Sequence, residues 1–201
     1  MITIGVLGGV ASGKSLVTEQ MRQLGAAALE ADRIGHEVLR DPEVKAALRV
    51  RWGEAVFSPD GEIDRPTVAR IVFAPRLHGP PELKFLEQQT HPKIGERLLA
   101  QLDALRRRGD VPAAVLDAPV LLKAGWDKMC DRIVFVDASR EQRQTRARQR
   151  CWSDDDFAAR EAAQESLETK RNRADVIVDN SGSIEATFAQ VRQFWRSLET
   201  T

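Results

Sequence analysis

Eight residues near the start of the chain, Gly8-Gly9-Val10-Ala11-Ser12-Gly13-Lys14-Ser15, fit the spacing G-x-x-x-x-G-K-[ST]. Glycines let such a loop curl until backbone N–H groups converge on phosphate oxygens. A lysine in the place of Lys14 reaches the β- and γ-phosphates, and a hydroxyl in the place of Ser15 ligates Mg2+. The run before the loop, Ile2–Leu7, is apolar and β-branched, as buried parallel strands are. The residues after it carry helical spacing at Leu16, Met21 and Leu24. A strand, a glycine-rich turn and a helix N-terminus in that order favour bound negative charge. The expected ligand is a nucleoside triphosphate.

Further residues could act on that ligand. Asp32 directly follows a second apolar run, Ala26–Leu29, and ligands of parallel sheets sit beyond the carboxyl ends of strands. There a carboxylate can accept the proton of an attacking hydroxyl; the competing reading is a helix N-cap for Ile34–Leu39. Asp117 ends a third run, Ala113–Leu116, and either orients Mg2+-bound water or the acceptor, or serves a turn before Pro119. His91 precedes Pro92, where a lone histidine is more often a cap or a packed residue than a ligand. Arg143, Arg146 and Arg150 recur at spacings of three and four, which puts them on one helix face. Arginine is suited to bidentate phosphate contact, although most charged faces are merely solvated.

Two more strands are expected at Arg132–Val136 and Val176–Val178, giving five parallel strands alternating with helices in an α/β fold. A closing helix over about 183–198 places Phe188, Val191, Phe194, Trp195 and Leu198 on one face. Between Ile34 and Arg108 the pattern is helical, with no strand. Asp41-Pro42, Arg65-Pro66, Gly79-Pro80-Pro81 and His91-Pro92 each open a helix, since Pro favours the first turn. The expected organisation is one chain, 1–201, whose core is about 1–33, 109–145 and 174–201. A helical insertion spans about 34–108 and a charged lid about 146–173.

Composition narrows the function. Thirty basic residues balance thirty acidic ones, which argues against a protein that coats nucleic acid. Two cysteines, Cys130 and Cys151, are too few and too separate for a metal site or a disulfide framework. No apolar run approaches a membrane span, and the N-terminus lacks the form of a signal peptide. A soluble cytoplasmic protein without a membrane or nucleic-acid partner is expected, with a monomer favoured. The residues near the fourth strand, Val134-Phe135-Val136-Asp137-Ala138, hold no guanine-reading N-K-x-D. Short length, an insertion able to cover a substrate and an arginine-rich segment favour a small-molecule kinase. A nucleoside monophosphate kinase or a non-catalytic ATP-binding regulatory module are the alternatives.

The ordered residues carry a more specific likeness. After Gly8–Ser15 come Glu30-Ala31-Asp32-Arg33-Ile34-Gly35-His36, then His91-Pro92-Lys93-Ile94 and Asp117-Ala118-Pro119-Val120-Leu121-Leu122. Arg146, Arg150, Gln164, Lys170 and Ala174-Asp175-Val176-Ile177-Val178-Asp179-Asn180 follow. Over essentially its whole length the chain resembles the dephospho-coenzyme A kinases. The resemblance implies a three-layer P-loop kinase fold with a coenzyme A domain and a lid. It also implies transfer from ATP, with Mg2+, to the ribose 3′-hydroxyl of dephospho-coenzyme A, the last step of coenzyme A biosynthesis. On that likeness Asp32 is the base, Ala11, Ser12, Gly13, Lys14, Ser15 and Leu16 wrap the ATP phosphates, and Ser15 meets the metal. Arg150 stabilises the moving phosphoryl group, Arg146 lies toward the nucleotide, and Asp32, His91, Asp117 and Leu121 contact the substrate. The chain departs from the family at Leu7 (usually Thr), Ala11 (usually Gly), Leu16 (often Thr), Glu30 (usually Asp) and Lys123 (usually acidic).

Overall fold

A computed structural model describes residues 1–74 and 79–199. Its five strands form one parallel sheet in the order β2-β3-β1-β4-β5. They are β1 (Ile2–Gly8), β2 (Ala27–Glu30), β3 (Ala113–Asp117), β4 (Arg132–Asp137) and β5 (Val176–Asp179). Every expected strand is present, and each ends one residue later than its apolar run. Helix α1 is Lys14–Gln23, and α2 to α5 are Ala31–Val38, Pro42–Trp52, Arg65–Val72 and Gly79–Arg108. Helices α6 to α9 are Arg140–Gln149, Asp154–Ala162, Leu167–Asn172 and Ile184–Glu199.

The chain divides into two compact units, Met1–Glu30 with Gln101–Thr201, and Ala31–Ala100. In the first, alternation along β1 sends Ile4 and Val6 to one face of the sheet, where they join Val17 and Met21 of α1 and Val191, Phe194 and Trp195 of α9. Leu7, Leu116, Ile133 and Phe135 are buried on the other face. Burial on both sides is why these strands read as continuous apolar runs. Strand starts are closed by side chains: the Thr3 N–H donates to Asp131 Oδ2 at 2.7 Å, and the Ile133 N–H to Asp175 Oδ2 at 2.6 Å.

The second unit is helical, and among its described residues extended pairing is confined to one bridge, Phe57 to Ile63. Asp41 and Asp64 cap α3 and α4, each with proline in the first turn as expected. The expectation of separate helices opening at Gly79 and His91 is corrected: α5 runs through Pro92 without a break. A mid-helix proline costs about 3 kcal/mol. Burying Ile94, Leu98 and Leu102 at spacings of four is worth about 1.5–3 kcal/mol each, so packing outweighs the proline. The Oγ1 of Thr90, two residues before Pro92, also donates to the Leu86 carbonyl at 2.9 Å.

Candidate active site: a phosphate loop held by its carbonyls

The loop between β1 and α1 has the conformation its glycines permit. Gly13, at φ 101°, precedes α1 in the left-handed region, and Ala11 takes φ 57°. A Cβ on Gly13 would lie 2.0 Å from Asn180 Nδ2, and one on Gly8 would lie 2.4 Å from Ser12 Oγ. Both positions therefore exclude any side chain. Ala11 takes a strained angle, for which an L-residue loses roughly 1–2 kcal/mol. Its methyl packs with Val10, Ala147 and Phe157, and a buried methyl returns about 0.8 kcal/mol of that.

Cationic and amide groups hold the loop carbonyls. Lys14 Nζ donates to the carbonyls of Gly9 at 3.2 Å and Gly8 at 3.4 Å, and Lys170 Nζ also donates to Gly8 at 3.4 Å. Arg143 Nη1 donates to the Val10 carbonyl at 3.5 Å. Ser12 O accepts from Asn180 Nδ2 at 2.7 Å and Arg146 Nη1 at 3.0 Å. In a trans peptide the C=O and the following N–H point in opposite directions. Fixing the carbonyls of Gly8, Val10 and Ser12 therefore aims the N–H groups of Gly9, Ala11 and Gly13 the other way. The N-terminus of α1 follows at once, the N–H groups of Leu16 and Val17 turning back to the Gly13 carbonyl at 3.0 and 3.2 Å. The result is a nest of donors at a helix N-terminus, suited to phosphate.

The arginine stripe separates into three roles. Arg143 is 3% exposed and bonded to Glu161 and the Ala138 carbonyl as well as Val10. Arg146 is half-buried and joins Ser12 O to Asn180 O, the latter at 2.7 Å. Arg150 is exposed at the C-cap of α6, its guanidinium 5.9 Å from the Trp152 ring centre. Ser15 lies exposed in the first turn of α1, and Leu16 beside it is half-buried. Asp117 ends β3, paired in register with Val6 of β1 and Glu30 of β2, so its carboxylate belongs to the sheet edge from which the loop springs.

In the helical unit, Asp32 is exposed in the first turn of α2. It is the second residue of that helix, so the N-cap reading for Ile34–Leu39 does not hold. His91 is half-buried within α5. Leu121, expected at the substrate, is fully buried, and its Cδ2 approaches within 2.8 Å of where a Cβ on Gly5 would stand; it is a core residue in this structure. Cys130 is half-buried, its thiol pushed up to about 12 chiefly by burial, and so is a packing residue.

Sequence reading left Lys170 and Asn180 without a site role, and offered Arg143 only as one of a stripe suited to phosphate contact, not as a residue that holds the loop. Each lies 130 or more residues from the loop carbonyl it holds. Residue type and spacing alone carry no sign of which carbonyl each one holds; Lys170 and Asn180 stood only among the ordered landmarks.

A five-stranded parallel sheet with a phosphate nest at the end of its central strand defines a P-loop kinase. A shikimate kinase from Acinetobacter baumannii shares that fold, with a TM-score of 0.54 at 11% identity over 100% of this chain and 94% of its own. A family model described as dephospho-CoA kinase matches residues 2–186, and the chain belongs to that family. A dephospho-CoA kinase from Symbiobacterium thermophilum is 40% identical over 98% of this chain and 81% of its own length. One from Geobacter sulfurreducens is 35% identical over 97% and 98%. The crystal structure of TT1252 from Thermus thermophilus superposes with a TM-score of 0.83 at 31% identity, over 100% of this chain and 98% of that one. The chain is thus an ATP-using transferase that catalyses the last step of coenzyme A biosynthesis. Among the described residues no helix is long and apolar enough to cross a membrane.

Proposed function

We propose that the residues divide the transfer to the ribose 3′-hydroxyl of dephospho-coenzyme A as follows. The backbone from Ala11 to Leu16 wraps the β- and γ-phosphates of ATP. Lys14 leaves the carbonyls of Gly8 and Gly9 to meet them. Asp32 takes the proton of the 3′-hydroxyl as it attacks, and Arg150, carried by a lid over 146–173, neutralises charge on the moving phosphoryl group. His91 and Asp117 contact the acceptor. The carbonyl-held loop carries this reading, because it leaves donors and a lysine where a triphosphate needs them.

The donor set also suits Mg2+. Among the described residues no three His, Cys, Asp or Glu side chains form a metal cage. Ser15 offers one hard oxygen at the loop, with Asp117 at the neighbouring strand end. Mg2+ typically takes one or two protein oxygens and completes its shell with phosphates and water. When bound there it would offset phosphate charge. The protein is placed in the cytoplasm on the same reading.

An ADP-release assay with dephospho-coenzyme A, AMP or no acceptor tests the assignment. Release is expected with dephospho-coenzyme A alone. Equal release with AMP would favour a nucleoside monophosphate kinase, and none with any acceptor a regulatory module. Lys14→Ala is expected to weaken ATP binding or use while leaving the fold intact, because the Lys14 ammonium bonds to the carbonyls of the loop itself. Unchanged turnover with saturable ATP in that variant would sink the loop assignment.

A further inference from the structure

Lys170 is 1% exposed, yet no carboxylate within hydrogen-bonding distance neutralises it among the described contacts. Its ammonium donates to the Gly8 carbonyl at 3.4 Å and to Gln164 Oε1 at 2.7 Å. Lys14 Nζ donates to the same Gly8 carbonyl. Two ammonium groups thus meet at one oxygen, the last of β1, directly before the phosphate nest. A buried charge without a paired carboxylate is costly, and its retention needs a compensating interaction.

We propose that Lys170 is a positioning residue of the phosphate site, holding the Gly8 carbonyl after Lys14 has turned to the triphosphate. With Lys14 gone, a loop without Lys170 would lose the remaining cation on that carbonyl, and the peptide that aims the Gly9 N–H would be free to rotate. Through Gln164 the same ammonium ties the residues just after α7 to the loop. The inference rests on reading Gly8–Ser15 as the triphosphate site.

The surroundings make this charge responsive to the nucleotide. Lys14 on α1 and Arg143 on α6 repel it, Glu165 between α7 and α8 attracts it, and Glu161 on α7 pairs with Arg143. Burial first, and Lys14 second, bring the Lys170 ammonium down to about 8. Removing Lys14 to a polyanion relieves the repulsion, so ATP favours the charged form. The affinity for ATP should accordingly fall as pH rises through about 8 and Lys170 loses its proton.

Steady-state kinetics of the whole protein across that pH range test the idea, with Lys170→Met as a neutral side chain of similar length. The expected result is a KM for ATP raised about tenfold at neutral pH, with the KM for dephospho-coenzyme A nearly unchanged, the factor that one charge-assisted hydrogen bond carries. The parent's rise in KM for ATP above about pH 8 should be absent from this variant. Should Lys170→Met fail to fold, Gln164→Leu decides. It removes an acceptor that favours the charged amine, so the rise should begin at lower pH than in the parent. A folded Lys170→Met protein with the parental KM for ATP, or an unmoved onset in Gln164→Leu, overturns the proposal while leaving the phosphate site standing. A parent enzyme whose turnover does not saturate with ATP removes both.

Discussion

Asp32→Asn should lower kcat by about 10²–10⁴-fold, the usual worth of a positioned general base, while both substrates still bind. A sugar hydroxyl is a poor nucleophile at neutral pH, and a carboxylate that accepts its proton as the O–P bond forms is the simplest aid. Asn keeps the size and one acceptor oxygen of Asp but cannot take the proton. The location of Asp32 makes the test selective. It is exposed and sits second in α2, so the change removes neither a cap nor a core contact. Stability should shift by no more than about 0.5 kcal/mol, as for other surface substitutions. Thermal melting alongside ADP release separates the two effects. If Asp32→Asn binds both substrates and turns over near the parental rate, Asp32 is not the base. The family assignment would survive that outcome, because it rests on the loop and on the whole-chain match.

Arg150→Ala should lower kcat by about 10³-fold, at the lower end of what an arginine on a transferring phosphoryl group contributes. The KM for dephospho-coenzyme A should rise much less. Arg150 differs from its two partners on the stripe in how weakly it is tied. Arg143 is locked by a carboxylate and two carbonyls, and Arg146 by two carbonyls. The described partner of Arg150 is the Trp152 ring at 5.9 Å, and an exposed cation–π contact is worth roughly 0.5–1 kcal/mol. A developing phosphoryl charge can outbid that. The melting temperature of Arg150→Ala should stay near the parent's, whereas Arg143→Ala would leave the Val10 carbonyl without its guanidinium donor and Glu161 with only the exposed Arg140 at 3.6 Å. Normal kcat in Arg150→Ala would return this residue to the solvated surface.

The sequence by itself determined the elements whose causes are local. Five apolar runs became five strands; β1, β3 and β4 are buried on both faces, which demands continuous apolar residues, while the edge strand β5 keeps the pattern with Ile177 42% exposed. Asp-Pro and Arg-Pro pairs opened α3 and α4, because cap and proline geometry is settled within four residues. The phosphate loop was legible for the same reason, as Gly8, Gly13, Lys14 and Ser15 act within one turn of chain. Tertiary structure alone decided matters that depend on a distant neighbour. Pro92 reads as a helix start, but packing of Ile94, Leu98 and Leu102 carries α5 through it. The stripe of Arg143, Arg146 and Arg150 looks uniform in sequence, yet burial makes one a strut, one a link between loops and one an exposed cation. Lys170 and Asn180 reach the loop from more than 160 residues away. Hydrogen bonds fall off within a few ångströms, so which carbonyl a remote lysine or amide will hold is set only when the chain has folded around it.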